Sequence, residues 1–315
     1  MVQPHGRIPF HLRKKVEEEV QELVEQDIIE REEGPTPWVS PIITPPKPKQ
    51  PDKVRLCLDM RQANKAIIRE RHLLPTLDDV IYDLNGSCKF SKLDVKMAYH
   101  QLVVRESSRF ITTFSTHVGL FRHIRLNFGI SSASEIFQNT IAQVLQGIPG
   151  VKNISHDIIV FGATPEAHDI SLRAVITRLL ENGLTLNKEK CQLNQKRLEF
   201  FGHILTADGV SVDPKRIATI QTMQAPRSVA DVRSLLGMLN SIFIANYAAL
   251  TQPILCLTRA DTPWEWGEQE QQAFTELKNN LCENIKTAYF DPNRRSVVHA
   301  DAGPTAISGM LSQLD

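Results

Sequence analysis

The sequence holds no run of about 18 apolar residues, the length a membrane-spanning helix needs. Its first ten residues, MVQPHGRIPF, lack the apolar core and small-residue cleavage site of a secretory leader. Both absences lead to the expectation of an intracellular protein without a membrane partner. Cysteine is sparse: Cys57, Cys88, Cys191, Cys256 and Cys282 are odd in number, scattered and free of any C-x-x-C pair, which points to reduced thiols. There is no internal repeat and no low-complexity tract beyond one proline-rich segment. Net charge is absent too, at +0, so no overall field draws the chain to a polyanion.

That zero conceals a split. Residues 13–33 carry four basic and nine acidic side chains, a local −5, whereas 47–71 carry eight basic and three acidic ones, a local +5. A patch can bind phosphate whatever the total charge, although a charge run can equally be a solvated face. The 315 residues, 42% hydrophobic and 23% charged, are enough for a sizeable core and about two domains.

Leu12, Val16, Val20, Leu23 and Val24 recur at helical spacing and predict an amphipathic helix over 11–31. The segment GPTPWVSPIITPPKPKQPD then holds seven of the 18 prolines and can only be extended. KVRLCLDM, CKFSKLDV and ITTFST read as strands, and ASEIFQNTIAQVLQGI as a helix. A short helix is expected over 76–85, closed by Gly86. NISHDIIVFG reads as a hairpin, followed by a helix from Thr164 and Pro165 to Gly183. Strands are expected near 184–186 and 198–205, and Ser228 with Asp231 predicts a capping box for a helix from about 229. WEWGEQEQQAFTELKNNL opens a further helix, and SVVHADA is a last strand. Without regular βαβ alternation, this mixture predicts an α+β fold with a largely antiparallel sheet.

Two acids stand out by position. Asp94 ends the strand CKFSKLD, and Asp157 opens the apolar run IIVF. A buried carboxylate is costly unless paired, hydrogen-bonded or bound to metal. Two such acids from distant strands suggest a Mg²⁺ site of the kind used in phosphoryl or nucleotidyl transfer. The alternative is that either acid merely caps a turn.

The segments FSKLDVKMAYHQLVV, FITTFSTHVGLFRHIRLNFGISSASEIFQNTI, HDIIVFG and GLTLNKEKCQLNQKRLEFFGHIL, in that order, resemble the reverse transcriptase of gypsy-type LTR retrotransposons and retroviral Pol polyproteins. The resemblance runs from about residue 7 to the C-terminus and implies a right-hand polymerase fold of fingers, palm and thumb. It implies RNA-directed DNA polymerase activity: two-metal nucleotidyl transfer to a primer 3′-OH, with Mg²⁺ or Mn²⁺, an RNA or DNA template with primer, and deoxynucleoside triphosphates. By the same resemblance Asp94 and Asp157 are catalytic metal ligands. In the family the second acid belongs to a motif of an aromatic, any residue and two aspartates. Here that motif reads Ile154, Ser155, His156, Asp157, so His156 stands where an aspartate is expected. Arg55, helped by Lys53, matches the contact to the incoming triphosphate. Tyr99 matches the aromatic beneath the sugar, and Phe128 and Gly129 the lining of the nucleotide pocket. Phe201, Gly202 and His203 match the loop that holds the primer end.

The resemblance divides the chain into an N-terminal helix region (1–33), reverse transcriptase fingers, palm and thumb (34–226), a thumb-end and connection segment (227–290), and a truncated ribonuclease H-like remnant (291–315). Asp301 would be the first acid of that last domain; the others are missing, so no ribonuclease H activity is expected. GMLNSIFIANYA also looks contracted. With His156, these features suggest a degenerate copy. Imidazole is a poor Mg²⁺ ligand, and loss of a shared carboxylate should cost roughly 4–6 kcal/mol of transition-state stabilisation. The expectation is therefore an impaired polymerase. The alternatives are an inactive nucleic-acid-binding remnant and a vestigial interaction protein. No oligomeric state is legible.

Overall fold

The structure, a computed structural model, describes all residues except 1–2, 4–7, 48–49, 70, 240–243, 245–246, 261, 282–285, 303–306 and 315. Cys282 and part of GMLNSIFIANYA thus lie outside the described residues. The chain divides into two compact units. One comprises residues 1–76, 91–160 and 166–193, the other 77–90, 161–165 and 194–315.

In the first unit, the opening helix Phe10–Glu25 buries Val16 and Val20. It stops short of the predicted residue 31. Asp27 adopts φ +53°, a left-handed conformation that Asp tolerates, and Ile29–Arg31 becomes a strand antiparallel to Gly119–His123. Ile28 and Ile29 prolong the helix's apolar stripe in sequence yet reach the same core, shared with Val54, Met60, Phe114 and Phe121, from a strand. KVRLCLDM is also not one strand. Gln50–Val54 pairs with Pro46–Lys47, and Cys57–Leu58 with Ile42–Ile43, because the chain changes partner at Arg55, whose N–H donates to the Pro45 carbonyl. ITTFST begins as a 3₁₀ turn, Phe110–Thr112, and only Phe114–Thr116 is strand.

A second core lies beneath a four-stranded sheet ordered Gln192–Gln195, Lys89–Asp94, Asp157–Gly162, Val151–Ile154. Leu93, Val95, Ile158 and Val160 meet Phe137, Ile141 and Leu145 of helix Ala133–Leu145, and Leu172, Val175 and Leu179 of helix Pro165–Glu181. Period-2 alternation therefore sends Lys92, Asp94 and Asp157 to the other face. Near 184–186 a single bridge joins Leu186 to Val95, rather than a strand. On the helix side, Ser91 Oγ lies 2.9 Å from His168 Nε2, and His168 Nδ1 lies 3.0 Å from Asp169 Oδ1. This order imitates a nucleophilic triad, but Ser91 and His168 are both 0% exposed, so the network is a buried polar tie between strand and helix.

The second unit contains the short helix Leu77–Tyr82 and a sheet of Arg197–Phe200, His203–Thr206, Gly209–Val212 and Lys286–Thr287. The strand expected over 198–205 is split into a hairpin by Phe201 (φ +47°) and Gly202 (φ +75°). Helices Pro214–Thr222, Val229–Leu239, Tyr247–Cys256 and Glu268–Asn279 enclose a core of Ile217, Val232, Leu235, Ile254 and Phe274, among others. The capping box at Ser228 forms by half. Asp231 N–H donates to Ser228 Oγ at 3.2 Å, while the Asp231 carboxylate accepts from Arg227 N–H at 3.0 Å. SVVHADA is a strand, Ser296–Ala302, paired antiparallel with Ile307–Gln313.

His100 and His123 of the first unit lie with ring centroids 6.2 Å apart. Among the described residues, His100 Nδ1 and both ring nitrogens of His123 are buried without a hydrogen-bond partner. Burial, with Arg125 nearby, pushes His100 down to about 4. Burial, with His100 beside it, pushes His123 down to about 3.

Two outcomes follow from this packing. Ile158→Ala, which empties a fully buried site between the two helices, should cost about 2–5 kcal/mol in urea denaturation. Stability should also fall as pH drops from the ordinary histidine value of 6.5 towards about 4, because the unfolded chain then binds protons that the folded rings refuse. Urea midpoints at pH 7 and pH 5 check this; His123→Phe should flatten the slope, and an unchanged slope would refute the assignment.

Candidate active site

The two central strands bring the sequence-identified acids together. Asp94 is the last residue of its strand and Asp157 the first of the neighbouring one. Val95 N–H donates to the His156 carbonyl at 2.9 Å, fixing the end of one strand against the turn of the other. Asp94, His156 and Asp157 present ligand atoms within 4.8 Å of one another. Asp94 is 5% exposed and Asp157 7%, whereas His156 is exposed.

The turn that carries His156 is tightly specified. Asp157 pairs with Ile154, leaving Ser155 and His156 as a two-residue loop. Only Ser155 has positive φ, +52°, as at the first central position of a type II′ turn. Gln138 clamps this hairpin from the adjacent helix: its Oε1 accepts from Ser155 N–H at 2.6 Å, and its Nε2 donates to the Asn153 carbonyl at 2.8 Å. Asn153 Nδ2 donates back to the Gln138 carbonyl at 3.3 Å.

Each buried acid also faces a cation. Lys92 Nζ lies 3.1 Å from Asp157 Oδ2, and Lys190 Nζ lies 3.4 Å from Asp94 Oδ1. Sequence reasoning singled out neither lysine, nor Gln138. Lys92 was findable, since residues i and i+2 of a strand share a face and Lys92 precedes Asp94 by two. Lys190 and Gln138 carry no such signal, because their partners are distant in sequence.

A cavity of about 430 Å³ in the first unit is lined by Arg55, Phe128, Met97, His100 and His123, among others. Tyr99 packs on Phe128 at a centroid distance of 4.9 Å. Gly129 follows with φ +96°; an L side chain there would be strained by the backbone, and its Cβ would press within 3.2 Å of Met60 Cγ, so the position favours glycine. Arg55 has no acidic partner among the described residues, whereas Lys53 lies exposed, 3.9 Å from Glu22. Lys47 pairs with Glu19 at 2.7 Å. The acidic and basic stretches thus partly neutralise each other, and Arg55 is left at the cavity. Phe201, Gly202 and His203 belong to the second unit, where His203 Nδ1 lies 3.1 Å from the Phe201 carbonyl.

The Asp94–His156–Asp157 set matches one divalent ion in number and spacing. It does not match the all-oxygen octahedral shell that Mg²⁺ demands, because one of its three donors is an imidazole nitrogen. No helix among the described residues is long and apolar enough to cross a membrane.

The family model described as reverse transcriptase (RNA-dependent DNA polymerase) matches residues 45–205, and the model of the RNase H-like domain found in reverse transcriptase matches 266–315. The chain is 32% identical over 98% of its length to the retrovirus-related Pol polyprotein from transposon opus of Drosophila melanogaster, covering 32% of that protein. It is 29% identical over 95% of its length to the Pol polyprotein from transposon gypsy of the same organism, covering 30%. The chain therefore spans about a third of the relatives it matches. Among solved structures, it is similar to the foamy viral protease-reverse transcriptase in complex with dsDNA. There the TM-score is 0.87 and the identity 22%, over 99% of this chain and 65% of that one. The same enzyme with an RNA/DNA hybrid gives a TM-score of 0.83 at 21% identity, over 99% of this chain and 42% of that one. With its α+β right-hand polymerase fold, the chain belongs to the reverse transcriptase family of LTR retrotransposons.

Proposed function

We propose that this chain is an RNA-directed DNA polymerase homologue that engages a primed template and deoxynucleoside triphosphates, and whose Mg²⁺-dependent transfer is impaired by His156. The observation that carries the reading is the convergence of Asp94, His156 and Asp157 within 4.8 Å. Two carboxylates meet there, and the third position holds an imidazole instead of a third acid. An intact polymerase of this type uses two metal ions to activate the primer 3′-OH and steady the departing pyrophosphate. The present donor set does not support that step with Mg²⁺.

The rest of the site retains binding features. Arg55, at the cavity and without an acidic partner among the described residues, offers a planar fork suited to a triphosphate. Tyr99 packed against Phe128 at a tilt of 52°, with Gly129 next in the chain, would form the wall against the incoming sugar. Lys53 would assist Arg55 only by leaving Glu22. The hairpin turn at Phe201, Gly202 and His203 is the proposed seat of the primer end. The similar foamy viral structures are complexes with dsDNA and with an RNA/DNA hybrid, which supports a nucleic-acid partner. A second reading, a nucleic-acid-binding protein without chemistry, is favoured by His156 itself.

Primer extension on an RNA template in Mg²⁺ tests the proposal. Wild type should be silent, while His156→Asp should gain on the order of a thousandfold, about 4 kcal/mol of barrier. Extension by wild type at the rate of His156→Asp would refute the impairment. Both proteins should bind the primed duplex equally, with affinity falling steeply between about 50 and 200 mM salt. Binding without extension in either protein would favour the second reading.

A further inference from the structure

We propose that the Asp94–His156–Asp157 site is selective for a transition-metal dication of the Co²⁺ and Zn²⁺ class over Mg²⁺. The inference rests on the reading above for its choice of site and not for any activity. Three observations carry it.

The first is the donor set. Two carboxylate oxygens and one imidazole nitrogen lie within 4.8 Å, and among the described residues no other three histidine, cysteine or acidic groups converge in this way. Imidazole donates a lone pair that d-block ions accept well. Mg²⁺ gains little from it and keeps its water.

The second is charge. A hard ion such as Mg²⁺ is held chiefly by negative field. Here Lys92 lies 3.1 Å from Asp157 and Lys190 lies 3.4 Å from Asp94, so each carboxylate already faces an ammonium. With an imidazole and no third carboxylate at the remaining position, the negative field left for a hard ion is weak. A nitrogen–metal bond loses less to this compensation, because it depends less on net charge.

The third is preorganisation. Gln138 holds the Ser155 amide and the Asn153 carbonyl, and the His156 carbonyl is fixed by Val95 N–H. The exposed ring thus stands on a rigid turn beside two fixed acids, open to an ion arriving from solvent. A ligand held in place before binding loses little freedom on binding.

Calorimetric titration with Co²⁺, Zn²⁺ and Mg²⁺, alongside the visible ligand-field absorption of bound Co²⁺, tests this on the full chain. Wild type should bind one Co²⁺ at least about tenfold more tightly than Mg²⁺, and equimolar Mg²⁺ should not displace it. His156→Ala and His156→Gln should both lose the absorption band and weaken Co²⁺ by about tenfold or more. His156→Asp should move the preference towards Mg²⁺. Co²⁺ binding unchanged in His156→Ala and His156→Gln, or Mg²⁺ displacing Co²⁺ at equal concentration, would overturn the proposal. Neither readout needs nucleic acid or turnover. A protein that fails to bind a primed duplex but shows His156-dependent Co²⁺ binding would sink the polymerase reading alone.

Discussion

The constraint on which the site depends is the burial of two carboxylates at facing ends of adjacent central strands. Asp94 and Asp157 are 5% and 7% exposed, and buried acids require compensation. Lys92 and Lys190 provide it, one from the same strand as Asp94 and one from a distant segment. The sheet's other face is filled by Leu93, Val95, Ile158 and Val160 against two helices. This packing fixes the strand register, and a one-residue slip would turn both acids into the apolar core. The apolar face and the acidic face are therefore one specification, written in alternation.

Charge shows the same economy elsewhere. The acidic opening helix and the basic segment that follows look in sequence like two opposed patches. In the fold, Glu19 meets Lys47 and Glu22 lies near Lys53. Such half-exposed pairs add little stability, but they decide which cations stay available. Arg55, between Lys53 and the cavity-lining Leu56 and Cys57, has no such partner among the described residues. Local charge counts alone could not separate it from its neighbours.

What the sequence disclosed follows from how local each cause is. The strand carrying Asp94, the hairpin carrying Asp157 and the helices that cover them are set by period and turn chemistry within short windows. All three are legible. The helix expected to reach residue 31 stopped at Glu25: Ile28 and Ile29 keep helical spacing, yet Ile29–Arg31 pairs with Gly119–His123, a contact invisible at that range. KVRLCLDM alternated convincingly, yet its two halves serve different partners. In the site, Asp94, His156 and Asp157 were recognisable by motif. Gln138 and Lys190 were not, since their importance arises only when helix, hairpin and strand meet. The Ser91–His168–Asp169 tie shows the converse hazard, for an arrangement suggestive of chemistry is closed to solvent.

The position of His156 explains why the fold places few demands on the side chain at this turn. Its carbonyl holds Val95, and its backbone completes a two-residue turn, but its side chain is exposed and joins no core. Any residue that accepts the second position of this turn would preserve the hairpin. The side chain at this position therefore takes no part in the cores or in the Gln138 clamp, which holds the neighbouring Ser155 amide and Asn153 carbonyl. Removing Asp157 is a different matter, because Lys92 would then lose the carboxylate that lies 3.1 Å from its ammonium in a part-buried setting. Of these two neighbours, Asp157 is tied to the fold by charge and His156 through its backbone. His156 thus stands at the position where stability constrains the side chain least.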